Sequence, residues 1–373
     1  MNGDGINVTG ANTYIGGVTV YGAARHGIYA LAAAGVNLEN VTVQDVTVSN
    51  NGQYGIWFNT AGAGALIGEA TIRDVTASNN GDRGAYVTAA TTSTIGTVIV
   101  DNLESHDSGG DHGMEISADG AGTSITDIQI SDSEFYNNST GTYIRLTNNA
   151  LLDSLNLADV ISRNNTGRGI LVHALSGSDI NTVEVDGLTA QSNTVYGLEV
   201  SAQAAGSVIG STVVRNSSFT GNTNVGLYVN ATTSSLINSV EMENITSSTN
   251  ANAGVQVGVA SGADIVTLDV DGITANSNTT ASGRGFYLDV NGAGSTVTTA
   301  TLNNITTASN GATGTYVNVQ TDGQLSTLNA NDVSSNHDDS RGIYFLTQLG
   351  GDIGTIAADG MTSINTAGAA GRG

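Results

Sequence analysis

Asn50-Asn51-Gly52-Gln53-Tyr54-Gly55-Ile56-Trp57-Phe58 decides how the rest of the chain is read. A polar turn ends in a glycine, and a short strand follows in which apolar residues alternate with outward-facing ones. The same pattern returns at Gly27, Gly84, Gly113, Gly141, Gly169, Gly197, Gly226, Gly254, Gly285, Gly314 and Gly342, with a shorter first step from Gly5. After that first step the spacing is 28 or 29 residues, apart from one step of 31 before Gly285. A fixed period of this size predicts a solenoid.

Each period carries three apolar stretches. The first follows the marker glycine, as in Ile56-Trp57-Phe58, Leu227-Tyr228-Val229 and Phe286-Tyr287-Leu288. The second is short, as in Leu66-Ile67 and Leu236-Ile237; the third is longer and β-branched, as in Val41-Thr42-Val43-Gln44-Asp45-Val46. These runs are too short for helices and have strand composition. The expectation is an all-β, right-handed parallel β-helix of about 12 coils, with three short strands per coil, spanning residues 1–373 as a single domain. A leucine-rich horseshoe lacks its consensus here, a propeller needs longer units, and a calcium-binding nonapeptide roll needs a shorter repeat. An asparagine stands four residues before the glycine at Asn51, Asn80, Asn137, Asn165, Asn193, Asn222, Asn250 and Asn310. Stacked in successive coils, these side chains can bond to one another or to the next backbone.

At this point the chain resembles the pectate-lyase-like parallel β-helix superfamily. The resemblance rests on Asn50-Asn51-Gly52 leading to Gly55-Ile56, on Asn164-Asn165-Thr166-Gly167-Arg168-Gly169-Ile170 and on their equivalents from end to end. It implies the architecture, and a choice among polysaccharide lyases, hydrolases, uronan epimerases, phage tailspikes and bacterial adhesins. Gly110-Asp111-His112-Gly113 is similar to the glycine-histidine-glycine segment of polygalacturonases. The arginine-isoleucine-lysine motif of that family is absent, and the proline-containing motifs of pectate lyases and epimerases have no counterpart in a chain with no lysine and no proline. The resemblance therefore implies the adhesin or surface-protein type over a motif-complete enzyme.

Composition narrows the partners. The net charge is −23 and all ten basic residues are arginines, a field that repels phosphate backbones and argues against nucleic acid. With no cysteine, neither disulfides nor thiolate metal sites are expected. No apolar stretch is long enough to span a bilayer. The first residues already read as repeat, not as a secretion signal. Neither end reads as capped, which points to a segment of a longer protein or to end-to-end self-association as a fibre subunit.

Two faces carry candidate chemistry. The residue two past each marker glycine forms an outward file that includes Tyr29, Trp57, Tyr86, Tyr143, Tyr228, Tyr287, Tyr316 and Tyr344. These are the candidate ligand-binding residues, either as a glycan or protein platform or as in-register strand packing. The middle coils gather Arg83, Asp111, His112, Glu115, Tyr143, Arg145, Arg168, His173 and Glu199 on the same face. In an enzymatic alternative, His112 is the base, Tyr143 the acid and Arg145 the clamp for a uronate carboxylate in lyase or C5-epimerase chemistry. The third stretch displays Asp45, Asp74, Asp101, Asp132, Asp159, Asp186, Glu243, Asp271, Asp332 and Asp359 at or near matching positions, where Ca2+ can be held between coils; the fold requires no cofactor. The leading expectation is an extracellular or cell-surface structural and adhesive segment.

Overall fold

The computed structural model describes residues 3–364. The chain divides into two units, residues 1–184 and 185–373, each built on the same coil. Residues 1–2 and 365–373, on which the expectation about caps partly rests, lie outside the described residues.

In every coil the strand after the marker glycine joins a first sheet, pairing in parallel with its counterparts one coil away. In residues 1–184, Ile28–Ala33 pairs with Ile56–Ala61, setting Ile28 beside Ile56, Tyr29 beside Trp57 and Ala30 beside Phe58. In residues 185–373, Arg284–Asn291 pairs with Thr313–Gln320, setting Tyr287 beside Tyr316 and Leu288 beside Val317. Among the described residues thirteen strands occupy this position, one more than the expected number of coils. The structure is a right-handed parallel β-helix.

The rest of each coil forms a second sheet. The second and third apolar stretches run together, as in Leu66–Ser78 and Thr94–His106, and the path turns within them at a residue of left-handed backbone. Asp74 has φ 50° and Asp132 φ 48°, where Asn, Asp and Gly are the tolerated types. In the coil of Asp132 the turn separates Ser124–Ser131 from the short strand Glu134–Tyr136.

Alternation along the strands places Ile28, Ile56, Phe58, Ile67, Val98 and Val100 in the interior, fully buried. The marker glycines sit where coils meet most closely. A Cβ on Gly55 would lie 2.5 Å from the carbonyl oxygen of Gly84, and one on Gly226 would lie 2.7 Å from that of Gly254. These glycines are needed for backbone approach, since neither has a positive φ.

Beside the glycines runs the expected asparagine ladder, buried in the interior. In residues 185–373 it is continuous: Asn193 donates to Asn222, Asn222 to Asn250, Asn250 to Asn278 and Asn278 to Asn310, each through its backbone N–H to the next Oδ1. Asn278 joins although three extra residues separate it from Gly285, because the insertion lies after it. Among the described residues Asp338 is the last of the series, accepting from the backbone and side chain of Asn310 at 2.8 Å each. In residues 1–184 one expected member is displaced. Asn138, not Asn137, is the buried rung, taking the backbone N–H of Ser108 on its Oδ1, while Asn137 is the left-handed corner at φ 56°.

Candidate functional site

The outer face of the first sheet in residues 1–184 holds the densest ionisable cluster, and Arg83 is its hub. The turn before Ala85–Ala90 projects Arg83 across the next coil. Its Nε donates to Glu115 Oε2 at 2.6 Å, and its terminal nitrogens donate to Asp82 and Asp111 at 3.0 Å each. The guanidinium also lies over the rings of Tyr86, at 4.5 Å, and Tyr54, at 5.4 Å. Glu115 occupies an outward position yet is only 3% exposed. Burial raises its pKa while Arg83 opposes that shift, and burial likewise raises Asp111.

His112 lies beneath these groups. Its Nε2 is 3.1 Å from Asp111 Oδ1 and 3.7 Å from Glu115 Oε2. Burial first, then the charges of Arg83 and Arg145, lower its pKa to about 3. The imidazole is therefore neutral at neutral pH. A proton on Nε2 faces the carboxylates and leaves Nδ1 as an acceptor, buried without a hydrogen bond.

Of the three residues expected to act together, His112 and Tyr143 are in ring contact, and Arg145 is near enough for its charge to act on His112. The rings of His112 and Tyr143 meet edge to face at 5.1 Å, and the Tyr143 hydroxyl lies 3.3 Å from His173 Nδ1. Register places Arg145 between Ser117 and His173. Among the described residues Arg145 forms no ion pair or hydrogen bond, and its Nε is buried without a partner. Arg83 has a central part that the sequence reading did not assign. The signal that could have found it was a glutamate following three aromatic residues in the outward file, one coil from an arginine.

The aromatic file exists but is interrupted: Asn7, Glu115, Leu171, Glu199 and Gln256 also stand in it, and Glu115, Leu171 and Glu199 are buried. Tyr29, Trp57 and Tyr86 form one stack, at 4.6 Å and 25° and then 6.0 Å and 13°, with His26 and Tyr54 against its side. Tyr287, Tyr316 and Tyr344 form another, at 5.2 Å and 12° and then 5.4 Å and 13°. Tyr228 packs on Tyr196. In such stacks the ring faces are turned to one another, and Tyr287 is buried with its hydroxyl bonded to Asp289 and Asn318.

The acidic residues of the third stretch fall into two files. Asp45, Asp74, Asp132, Asp159 and Asp332 are left-handed corners. Asp101, Asp186, Glu243, Asp271 and Asp359 stand one residue before a corner, which is Asn102, Gly187, Asn244, Gly272 or Gly360. Several are held by neighbouring amides: Asn102 donates to Asp74, Asn216 to Asp186 and Asn304 to Asp271. Among the described residues, the grouping close enough to share a cation is Asp111, His112 and Glu115. That set can coordinate a cation, but its imidazole does not suit calcium, which prefers oxygen ligands throughout, and Arg83 already supplies positive charge to both carboxylates. No helix among the described residues is long and apolar enough to cross a membrane.

The family model described as right handed beta helix region matches residues 4–184 and 68–239. The chain belongs to that family. No curated protein and no solved structure matches this right-handed β-helix protein. The family match is to the architecture and assigns none of the side chains described above a role.

Proposed function

We propose that this β-helix is an extracellular or cell-surface structural and adhesive segment whose contacts are made along the outer face of the first sheet. The observation that carries this reading is the uniform register of that face. Tyr29 stands on Trp57, Trp57 on Tyr86 and Tyr316 on Tyr344, each one coil apart. Its connecting turns are short, and the spacing leaves room for only one small insertion. Such a face offers length and repetition, which suit adhesion and reach, with few long loops to wall a cleft. The acidic field keeps the surface soluble and selects against dense polyanions.

The test is binding to immobilised glycans and to cell-surface extracts by wild type and by Tyr143→Ser and Tyr228→Ser. The adhesive reading expects a loss of more than about tenfold, roughly 1.4 kcal/mol. Unchanged binding would leave the aromatic file as strand packing and move the contact elsewhere.

A second reading is favoured by one observation. His112, whose ring meets Tyr143 edge to face, and Arg145, two residues along the same strand as Tyr143, each keep a nitrogen without a hydrogen bond, Nδ1 and Nε. A uronate carboxylate on Arg145, with His112 Nδ1 taking the proton alpha to it and Tyr143 supplying one from its hydroxyl, would be lyase or C5-epimerase chemistry. Alginate, pectin and hyaluronan, with and without calcium, are the substrates to test. Proton exchange at C5 by NMR, or unsaturated products by mass spectrometry, would establish turnover; their absence on all three would remove this reading.

A further inference from the structure

In residues 185–373 the outer face carries two arginines that differ from Arg83. Arg284 lies over the ring of Tyr287 at 4.2 Å and reaches Tyr316 at 5.2 Å; Arg341 lies over Tyr344 at 4.1 Å. Among the described residues neither guanidinium forms an ion pair or a side-chain hydrogen bond, although the chain carries 33 acidic residues. Arg73, Arg83, Arg163 and Arg215 all have carboxylate partners. The one insertion in the repeat ends at Arg284. Its residues 279–282 are exposed, and Gly283 closes the turn onto Thr280 at 2.7 Å. Loop insertions on a regular scaffold are where binding functions concentrate.

The patch sets two arginines without carboxylate partners against one carboxylate, Asp289, whose Oδ1 is already taken by Asn318 at 2.8 Å and Gln320 at 3.1 Å. A guanidinium lying flat on an aromatic ring keeps its in-plane N–H fan free for an oxyanion. Burial raises the pKa of Tyr287 and Tyr316, so the phenols remain protonated. Tyr287 is buried, with its hydroxyl bonded to Asp289 and Asn318, so the patch offers the two guanidinium groups and the hydroxyls of Tyr316 and Tyr344, with its ring faces covered by one another and by guanidinium. Sugar stacking on those faces is blocked. Thr313 lies beside Arg341, and Arg284 belongs to the preceding coil, so the arginines stand two coils apart, roughly 9–10 Å. A polyanion as dense as a nucleic acid is repelled by the net charge of −23. A polymer with widely spaced charges suffers less repulsion and can match two arginines at this separation. A sulfate ester offers three acceptor oxygens, enough for a guanidinium edge and a neighbouring phenol together.

We propose that Arg284, Tyr316, Arg341 and Tyr344, with the buried Tyr287 ring supporting Arg284, form a binding site for a linear polysaccharide carrying a sulfate on every second sugar. The proposal rests on the adhesive reading and names its ligand class. It is tested with kappa-carrageenan, which has one sulfate per disaccharide, against neutral agarose and against hyaluronan, which has one carboxylate per disaccharide. The expected result is salt-sensitive binding of kappa-carrageenan, none of agarose and at least about tenfold weaker binding of hyaluronan. The double variant Arg284→Gln with Arg341→Gln should lose at least about tenfold in affinity, while Arg73→Gln on the second sheet keeps it. On wild type, kappa-carrageenan should slow amide exchange in Arg284–Asn291 and Arg341–Gln348 and leave Ile28–Ala33 unchanged. That measurement holds even if the double variant fails to fold. Equal affinity for hyaluronan, wild-type binding by the double variant, or protection confined to other strands would overturn the proposal. Failure to bind kappa-carrageenan would do so too, while binding of another glycan that Tyr143→Ser abolishes would leave the adhesive reading standing.

Discussion

The Nδ2 of Asn222 donates to Asn250 Oδ1 at 2.9 Å, and the backbone N–H of Asn222 reaches the same oxygen at 3.0 Å. One side-chain oxygen thus satisfies two buried donors of the neighbouring coil. Asn250 Nδ2 in turn donates to Phe219 O and to Ser247 Oγ, at 3.1 Å each. Asn250→Ala strips partners from several buried groups at once and should destabilise residues 185–373 by about 2–4 kcal/mol. Urea unfolding followed by hydrogen exchange in Val225–Thr232 and Ala253–Ala260 measures this. A loss below about 0.5 kcal/mol would show that water replaces the ladder.

Gly226→Ala should be far worse than Gly10→Ala. The first puts a methyl group 2.7 Å from Gly254 O, against backbone that cannot yield cheaply; the second meets nothing closer than 3.7 Å. The expected losses are about 1–3 kcal/mol or more for Gly226 and about 0.5 kcal/mol or less for Gly10. Thermal unfolding of the two variants side by side gives the comparison, and equal midpoints would contradict the close-approach argument.

Asp338 is a carboxyl group in a position where the preceding rungs are amides. It is fully buried, accepts from Asn310 and Ser335, and its pKa is raised by burial, with those hydrogen bonds opposing. A raised carboxyl pKa means that the fold favours the protonated form. Its contribution is present at low pH and is lost as pH rises from the ordinary carboxylate value of 3.8 through the folded value. Asp338→Asn should therefore stabilise the protein at pH 7, with a gain that shrinks toward pH 3. An amide there can bond to Ser335 as Asn250 does to Ser247. A variant less stable than wild type at pH 7 would mean that the carboxylate is better solvated than its burial indicates.

His112 has the opposite linkage. With its folded pKa lowered to about 3 from an ordinary 6.5, the neutral form belongs to the fold. The stability it contributes is complete above about pH 6.5 and declines as pH falls toward 3. The imidazole signals of His112 should stay unshifted from pH 8 to pH 4. His112→Gln should be less sensitive to acid than wild type over the same range. A midpoint near 6.5 by NMR would place His112 in contact with water.

The coil was legible because Gly55-Ile56-Trp57-Phe58 and its repeats state both the period and the alternation, and each coil needs only its neighbours to be built. The asparagine ladder was legible for the same reason. Its exception, Asn138, escaped because two asparagines stand together and either could be the left-handed corner. The acidic file was misaligned by one residue because Asp, Asn and Gly are interchangeable at such corners, so composition does not fix register there. What sequence did not show was the burial of Glu115. An outward position is buried when a long neighbouring side chain folds over it, and Arg83 does this through interactions that depend on side-chain conformation.

The close meeting of Gly55 with Gly84 O has a consequence for the lengths this molecule can have. A single added residue within a strand would move a Cβ into that gap and turn the inward side chains outward. Removing a whole period would bring the next glycine into the same place, with the same carbonyl facing it. Length is thus quantised: relatives can differ by complete coils far more readily than by single residues, and an irregular step such as the one before Arg284 is tolerated where the extra residues loop out and the ladder resumes in phase.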